Sequence, residues 1–172
     1  MTQTEPDVRS RTFSWSDPSL NSAQLGRRGG LELLQAMSRG ELPRPPIMHL
    51  LGTGALQAED GRVVVTLEPQ EYHYNPLGTV HGGVLATLLD TATGCAVHST
   101  LPAGVGYTTI DLNTRFLRPA SLASGTLTCE GVVLNRGRRT ALAQAQITDA
   151  RGALVAHATS TCMIFEMPES KS

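Results

Sequence analysis

The 172-residue chain is short of lysine, aromatic rings and cysteine, and it has no long apolar run. Lys171 is the one lysine, and every other basic side chain except histidine is arginine. The net charge of -1 and the pI near 6.5 lack the basic excess of a polyanion binder, so nucleic acid is not expected as a partner. Cys95, Cys129 and Cys162 are odd in number and far apart, which excludes a disulfide framework and implies reduced thiols in a reducing compartment. No stretch approaches the ~20 apolar residues that span a bilayer. The opening MTQTEPDVRS is too polar for a signal peptide. A cytoplasmic protein without a membrane partner is expected. Also missing are a G-x-S-x-G nucleophile elbow, a Walker or dinucleotide glycine pattern, and any metal-ligand spacing, so no metal is expected.

What is present reads as α+β. Residues 1 to about 22 form a polar arm with an anchored piece around Phe13 and Trp15. Leu31, Leu33, Leu34 and Met37 predict an amphipathic helix from Gln24 to Arg39, stopped by Pro43, Pro45 and Pro46. Two strand-like runs flank Glu59-Asp60-Gly61, a hairpin signal. A loop, QEYHYNPLGTV, leads to a long helix from His81 to His98. Four strands follow, near Tyr107–Leu117, Gly125–Leu134, Thr140–Asp149 and Leu154–Glu166. Their short connections predict a largely antiparallel sheet curled around the one long helix. The expected organisation is an arm and helix over 1–49, the sheet-and-helix domain over 50–166, and a flexible tail over 167–172.

Alternation in the first of those four strands assigns Ile110, Leu112, Thr114 and Phe116 to the helix side and Thr109, Asp111, Asn113 and Arg115 to the other. Ala141, Ala143, Ala145 and Ile147 share a face that permits close approach by another layer.

The long helix carries Asp90 and no other charge apart from its histidines. Leu85, Leu88, Ala92 and Cys95 share one face. Asp90 lies opposite, among Gly83, Ala86, Gly94 and Val97, with Thr87 nearby. A face so small and uncharged is not built for water. A single layer of sheet cannot cover both sides, so a second copy related by a two-fold axis is expected against it. Burial there disfavours the charged carboxylate, which suits a general base or nucleophile; a structural ion pair with Arg115 is the alternative. Gly82 and Gly83 are expected to leave bare N–H groups at the positive end of the helix, an arrangement that polarises a carbonyl, although a tight turn also calls for glycine.

Asn75, His81-Gly82-Gly83, Asp90 and Thr109 occur together in "NPLGTVHGGVLATLLDTATG" and "TTIDLNTRFLRPA". From about Leu50 to Phe165 the chain resembles the PaaI-like hotdog-fold acyl-CoA thioesterases, and "GELPRPPIMHLLG" resembles an N-terminal extension common in that group. The resemblance implies a hotdog fold and hydrolysis of an acyl-CoA thioester to free acid and CoA. It implies that Asp90 activates water or attacks directly, that Gly82 and Asn75 polarise the thioester carbonyl, and that His81 orients the thioester or eases departure of the CoA thiolate. Thr109, from a partner chain's strand, positions the water. Gly83 and the turn holding Arg136, Gly137, Arg138 and Arg139 are expected to contact the CoA moiety, the arginine forks suiting phosphate. CoA is part of the substrate, and no separate cofactor is implied. A dimer with sites shared between chains is expected, with a dimer of dimers usual among similar proteins. His49, His73, His98 and His157 read as structural or exposed. Two alternatives stay open: an enoyl-thioester hydratase or dehydratase on the same fold, and a non-catalytic acyl-CoA-binding sensor.

Overall fold

The computed structural model describes residues 7–167. Its centre is the long helix α4 (Gly82–Ser99) in a six-stranded sheet of order β1-β2-β4-β5-β6-β3, with every pairing antiparallel. The strands are β1 (Thr53–Glu59), β2 (Arg62–Leu67), β3 (Val105–Phe116), β4 (Leu127–Arg136), β5 (Thr140–Thr148) and β6 (Leu154–Glu166). Three short helices precede them: α1 (Ser19–Ser22), α2 (Gly30–Ser38) and α3 (Pro46–Leu51). This is the hotdog arrangement.

Small residues let the sheet close on the helix. A Cβ on Gly131 of β4 would lie 2.3 Å from the Ala92 carbonyl oxygen of α4, so backbone meets backbone there. Ala141, Ala143, Ala145 and Ile147 of β5 all face inward and are buried. Leu85, Leu88 and Leu89 fill the remaining space against Val63, Val65 and Leu127. Each fully buried leucine contributes about 1.5–3 kcal/mol. The Asp60-Gly61 turn closes the β1–β2 hairpin, with Gly61 at φ 72°.

Four expectations from the sequence need correction. The first predicted helix is shorter: Gly29 is extended (φ −67°, ψ 156°), so α2 starts at Gly30 and residues 24–28 are turns. Pro46 does not only stop a helix. It opens α3, where a missing N–H costs nothing, and α3 straddles residues 49 and 50. The arm is held by Arg11, which donates to the His49 and Leu50 carbonyls and stacks 4.2 Å over Tyr72. Phe13 and Trp15 stay 39% and 56% exposed.

The fourth correction concerns β3. The register against β6 shifts between Thr109 and Asp111, so Ile110 is a bulge residue. Before it Tyr107 and Thr109 point inward; after it Leu112 and Thr114 do. Ile110 and Phe116 are instead 56% and 51% exposed. Of the tail expected at 167–172, residues 168–172 lie outside the described residues.

Candidate active site

His81 begins the site by capping α4. Its Nδ1 accepts the Gly83 N–H at 2.8 Å. The proton of a neutral ring therefore sits on Nε2. This corrects one expectation: Gly83 does not offer a bare donor. The Gly82 N–H does, because a first-turn amide has no intrahelical acceptor and no other group among the described residues takes it.

The loop before the helix sets Asn75 beside Gly82. Asn75 Oδ1 accepts from the Leu77 and Thr79 amides, and its Nδ2 donates to the Thr79 hydroxyl at 3.1 Å. The side chain thus builds its own turn, as an Asn-Pro sequence suggests, and still has a second N–H. Asn75, Gly82, Leu85, Phe116 and Arg118 line a cleft of about 320 Å³.

Asp90 belongs to a different cavity. Its carboxylate is half-buried and accepts the Thr109 hydroxyl at 2.8 Å. The sequence placed Thr109 on the far face and on a partner chain. The Ile110 bulge instead turns it toward Asp90 of the same chain. Beside the pair lies a pocket of about 300 Å³, walled by Leu34, Met37, Ile47, Met48 and Leu56 and closed by His98 and Tyr107. Sequence reading missed these N-terminal and β3 wall residues. The one available signal was the apolar content of α2 and of the Pro46–Leu51 stretch.

Burial dominates the electrostatics around Asp90. It pushes the Cys95 thiol up to about 12, with the Asp90 charge adding to the effect. It raises the Tyr107 hydroxyl well above its usual range and lowers His98. These groups therefore stay neutral near pH 7.

The small face of α4 is covered in its second half and open in its first. Tyr107 lies against Gly94, where an added Cβ would sit 2.9 Å from the ring. The start of α2 covers His98. Gly83, Ala86, Thr87 and Asp90 remain exposed or half-exposed. A single chain also keeps the two half-sites apart: Gly82 and Asp90 are eight residues apart on one helix, roughly 12 Å along its axis.

Arg136, Arg138 and Arg139 are exposed on the β4–β5 turn, in a cleft with Val105, Phe165 and Glu166. Val105 starts β3 next to the C-terminal end of α4, and β3 ends at Phe116, which touches Gly82. The arginine turn therefore stands at the opposite end of the helix from Gly82 and Gly83. Among the described residues no group of three His, Cys, Asp or Glu could hold a metal ion, and no helix is long and apolar enough to cross a membrane.

The family model described as "Thioesterase superfamily" matches residues 77–156. Human acyl-coenzyme A thioesterase 13 is 31% identical over 132 residues, covering 76% of this chain and 90% of that protein. The chain belongs to the thioesterase superfamily. Thioester hydrolysis is accordingly its class of activity. Among solved structures that the chain resembles, a variant of the phenylacetic acid degradation protein PaaI from Thermus thermophilus is 30% identical with a TM-score of 0.63, covering 69% of this chain and 98% of that one. A Streptococcus mutans protein, solved bound to acetyl CoA, is 29% identical with a TM-score of 0.60, covering 66% and 90%. The thioesterase match spans His81, Gly82, Asp90, Thr109 and the arginine turn, and begins two residues after Asn75.

Proposed function

We propose that the protein hydrolyses an acyl-CoA thioester to free acid and CoA, with Asp90 driving the attack of water. The observation that carries this reading is the Thr109–Asp90 hydrogen bond at the mouth of an apolar pocket. The names of the human relative and of the acetyl CoA complex point to CoA esters as the substrate class.

The chemistry follows from the two half-sites. The thioester oxygen rests on the Gly82 N–H and the free N–H of Asn75, at the positive end of α4. Asp90 takes a proton from water as the oxygen of that water bonds to the carbonyl carbon. The tetrahedral intermediate then expels the CoA thiolate, which regains a proton. Thr109 holds the carboxylate in line by donating to one oxygen. A variation in which Asp90 itself attacks gives an anhydride that water opens to the same products.

Both halves act together only across two chains. β3 is an edge strand of twelve residues, with Ile110 and Phe116 exposed. So long an unpaired edge calls for a partner strand. Pairing β3 with a second β3 about a two-fold axis sets the helices antiparallel. Asp90 of one chain then approaches Gly82 of the other, and the arginine turn of one chain approaches the other's helix start. There it meets the CoA phosphates.

The test is thiol release from a panel of acyl-CoAs by the parent, Asp90→Asn and Gly82→Pro proteins. Proline fits the first helical position and removes the Gly82 N–H, one of the two proposed donors. Loss of about 10²-fold or more in kcat for each variant supports the reading. Undiminished turnover by Asp90→Asn rejects it.

A further inference from the structure

The pocket beside Asp90 has an apolar body between two polar ends. Leu34 and Met37 of α2, Ile47 and Met48 of α3 and Leu56 of β1 supply the body. Asp90 stands at one end and His98 at the other, eight residues on along α4, roughly 12 Å away.

His98 does not suit a purely apolar chain. It is 9% exposed, and its Nδ1 is sealed from solvent with no hydrogen-bond partner among the described residues. The start of α2 does the sealing: a Cβ on Gly30 would lie 1.8 Å from the His98 carbonyl oxygen and 3.0 Å from its Cγ. Burial lowers the pKa of the ring, so it is neutral and carries one proton. A buried N–H without an acceptor is rarer and costlier than a bare lone pair. The proton therefore belongs on Nε2, the ring nitrogen that is not sealed without a partner. A buried polar ring with no recorded hydrogen-bond partner in its own chain, set among Leu34, Met37, Ile47 and Met48 in a pocket whose carboxylate lies at the other end, marks the place of an outside hydrogen-bond acceptor.

We infer that this pocket receives the acyl chain of the thioester and that His98 donates a hydrogen bond to an oxygen at the far end of that chain. The inference rests on the proposed thioesterase reading. The substrate class it names is a medium-length acyl group with an apolar body and a distal hydroxyl, keto or ether oxygen. α2 and α3 then act as the wall that sets which chains fit.

The test compares kcat/KM, by thiol release, for matched acyl-CoAs with and without an ω-hydroxyl group, from hexanoyl to dodecanoyl. The parent is expected to favour the hydroxylated member about tenfold at one chain length. In His98→Leu that ratio falls to about one, and in His98→Gln, which keeps a donor, part of it returns. Met37→Trp fills the pocket from the opposite wall and covers the case of a poorly folded His98 variant. It is expected to shift preference toward acetyl-CoA over the ω-hydroxy chain by at least about tenfold. Equal rates for both members at every length, an unchanged ratio in His98→Leu, or an unchanged preference in Met37→Trp overturns the inference while leaving the thioesterase reading intact. No thiol release from any acyl-CoA removes that reading and this inference with it.

Discussion

Thr109 and Asp90 meet side chain to side chain within one chain, the hydroxyl donating to the carboxylate at 2.8 Å. A one-residue bulge at Ile110 makes the contact possible. It fixes the carboxylate that the proposed reaction uses, beside a pocket that an acyl group can fill.

Removing the donor tests its role. Thr109→Val deletes the hydroxyl and keeps the β-branched shape. A hydrogen bond to a charged group contributes about 1.5–3 kcal/mol. The expected result is a ten- to hundredfold fall in kcat with KM little changed, and recovery of most activity in Thr109→Ser.

The helix cap has a readout of its own in stability. His81→Ala loses the Nδ1 acceptor for Gly83. That costs about 1 kcal/mol, a drop in Tm of about 2–4 °C for a chain of this size. Thermal unfolding of His81→Asn, which can cap, should show most of the loss restored.

Gly131→Ala probes the closest approach of sheet and helix. The new methyl would need to lie 2.3 Å from the Ala92 carbonyl oxygen. Neither backbone can yield cheaply, and a loss of about 3 kcal/mol is expected in urea unfolding. An ordinary stability for this variant would mean the helix rides higher over β4.

Acid should weaken the fold through two buried histidines. His73 and His98 both have pKa values lowered by burial from an ordinary 6.5. His73 also uses both ring nitrogens, with Nδ1 accepting from the Gln70 amide and Nε2 on the Leu51 carbonyl. Below pH 6.5 the unfolded chain binds protons that the folded chain refuses. Their stabilisation is therefore complete above that pH and is lost as pH falls below it, with a slope up to about 1.4 kcal/mol per pH unit for each group. Unfolding curves across pH 5–8 should show the slope, and His98→Leu should reduce it.

Much of this was legible in the chain. β6 was predicted over the residues it occupies, Leu154–Glu166, and α4 within one residue at each end. The turn-rich breaks carry the strand signal, and the shared face of Leu85, Leu88, Ala92 and Cys95 at helical spacing carries that of α4. The bulge at Ile110 was not legible, because one extra residue breaks the alternation without changing composition. α3 was hidden by its prolines, which read as stops although Pro46 is a start. The occupied Gly83 amide was hidden too, since His-Gly-Gly is compatible with a bare or a capped helix start. The sequence assigned the whole cover of the small face of α4 to a second copy of the chain. Part of that cover is Tyr107 and α2 of the same chain, which only folding brings there.

Subunit complementation tests the central claim most directly. The proteins Asp90→Asn and Gly82→Pro are prepared separately, then unfolded together and refolded as a mixture. If each site takes its acid from one chain and its amide from the other, the mixed dimer holds one intact site. Thiol release should then return well above either parent variant. A mixture as inactive as its components, with mixed dimers shown to have formed, would contradict a site shared between two chains.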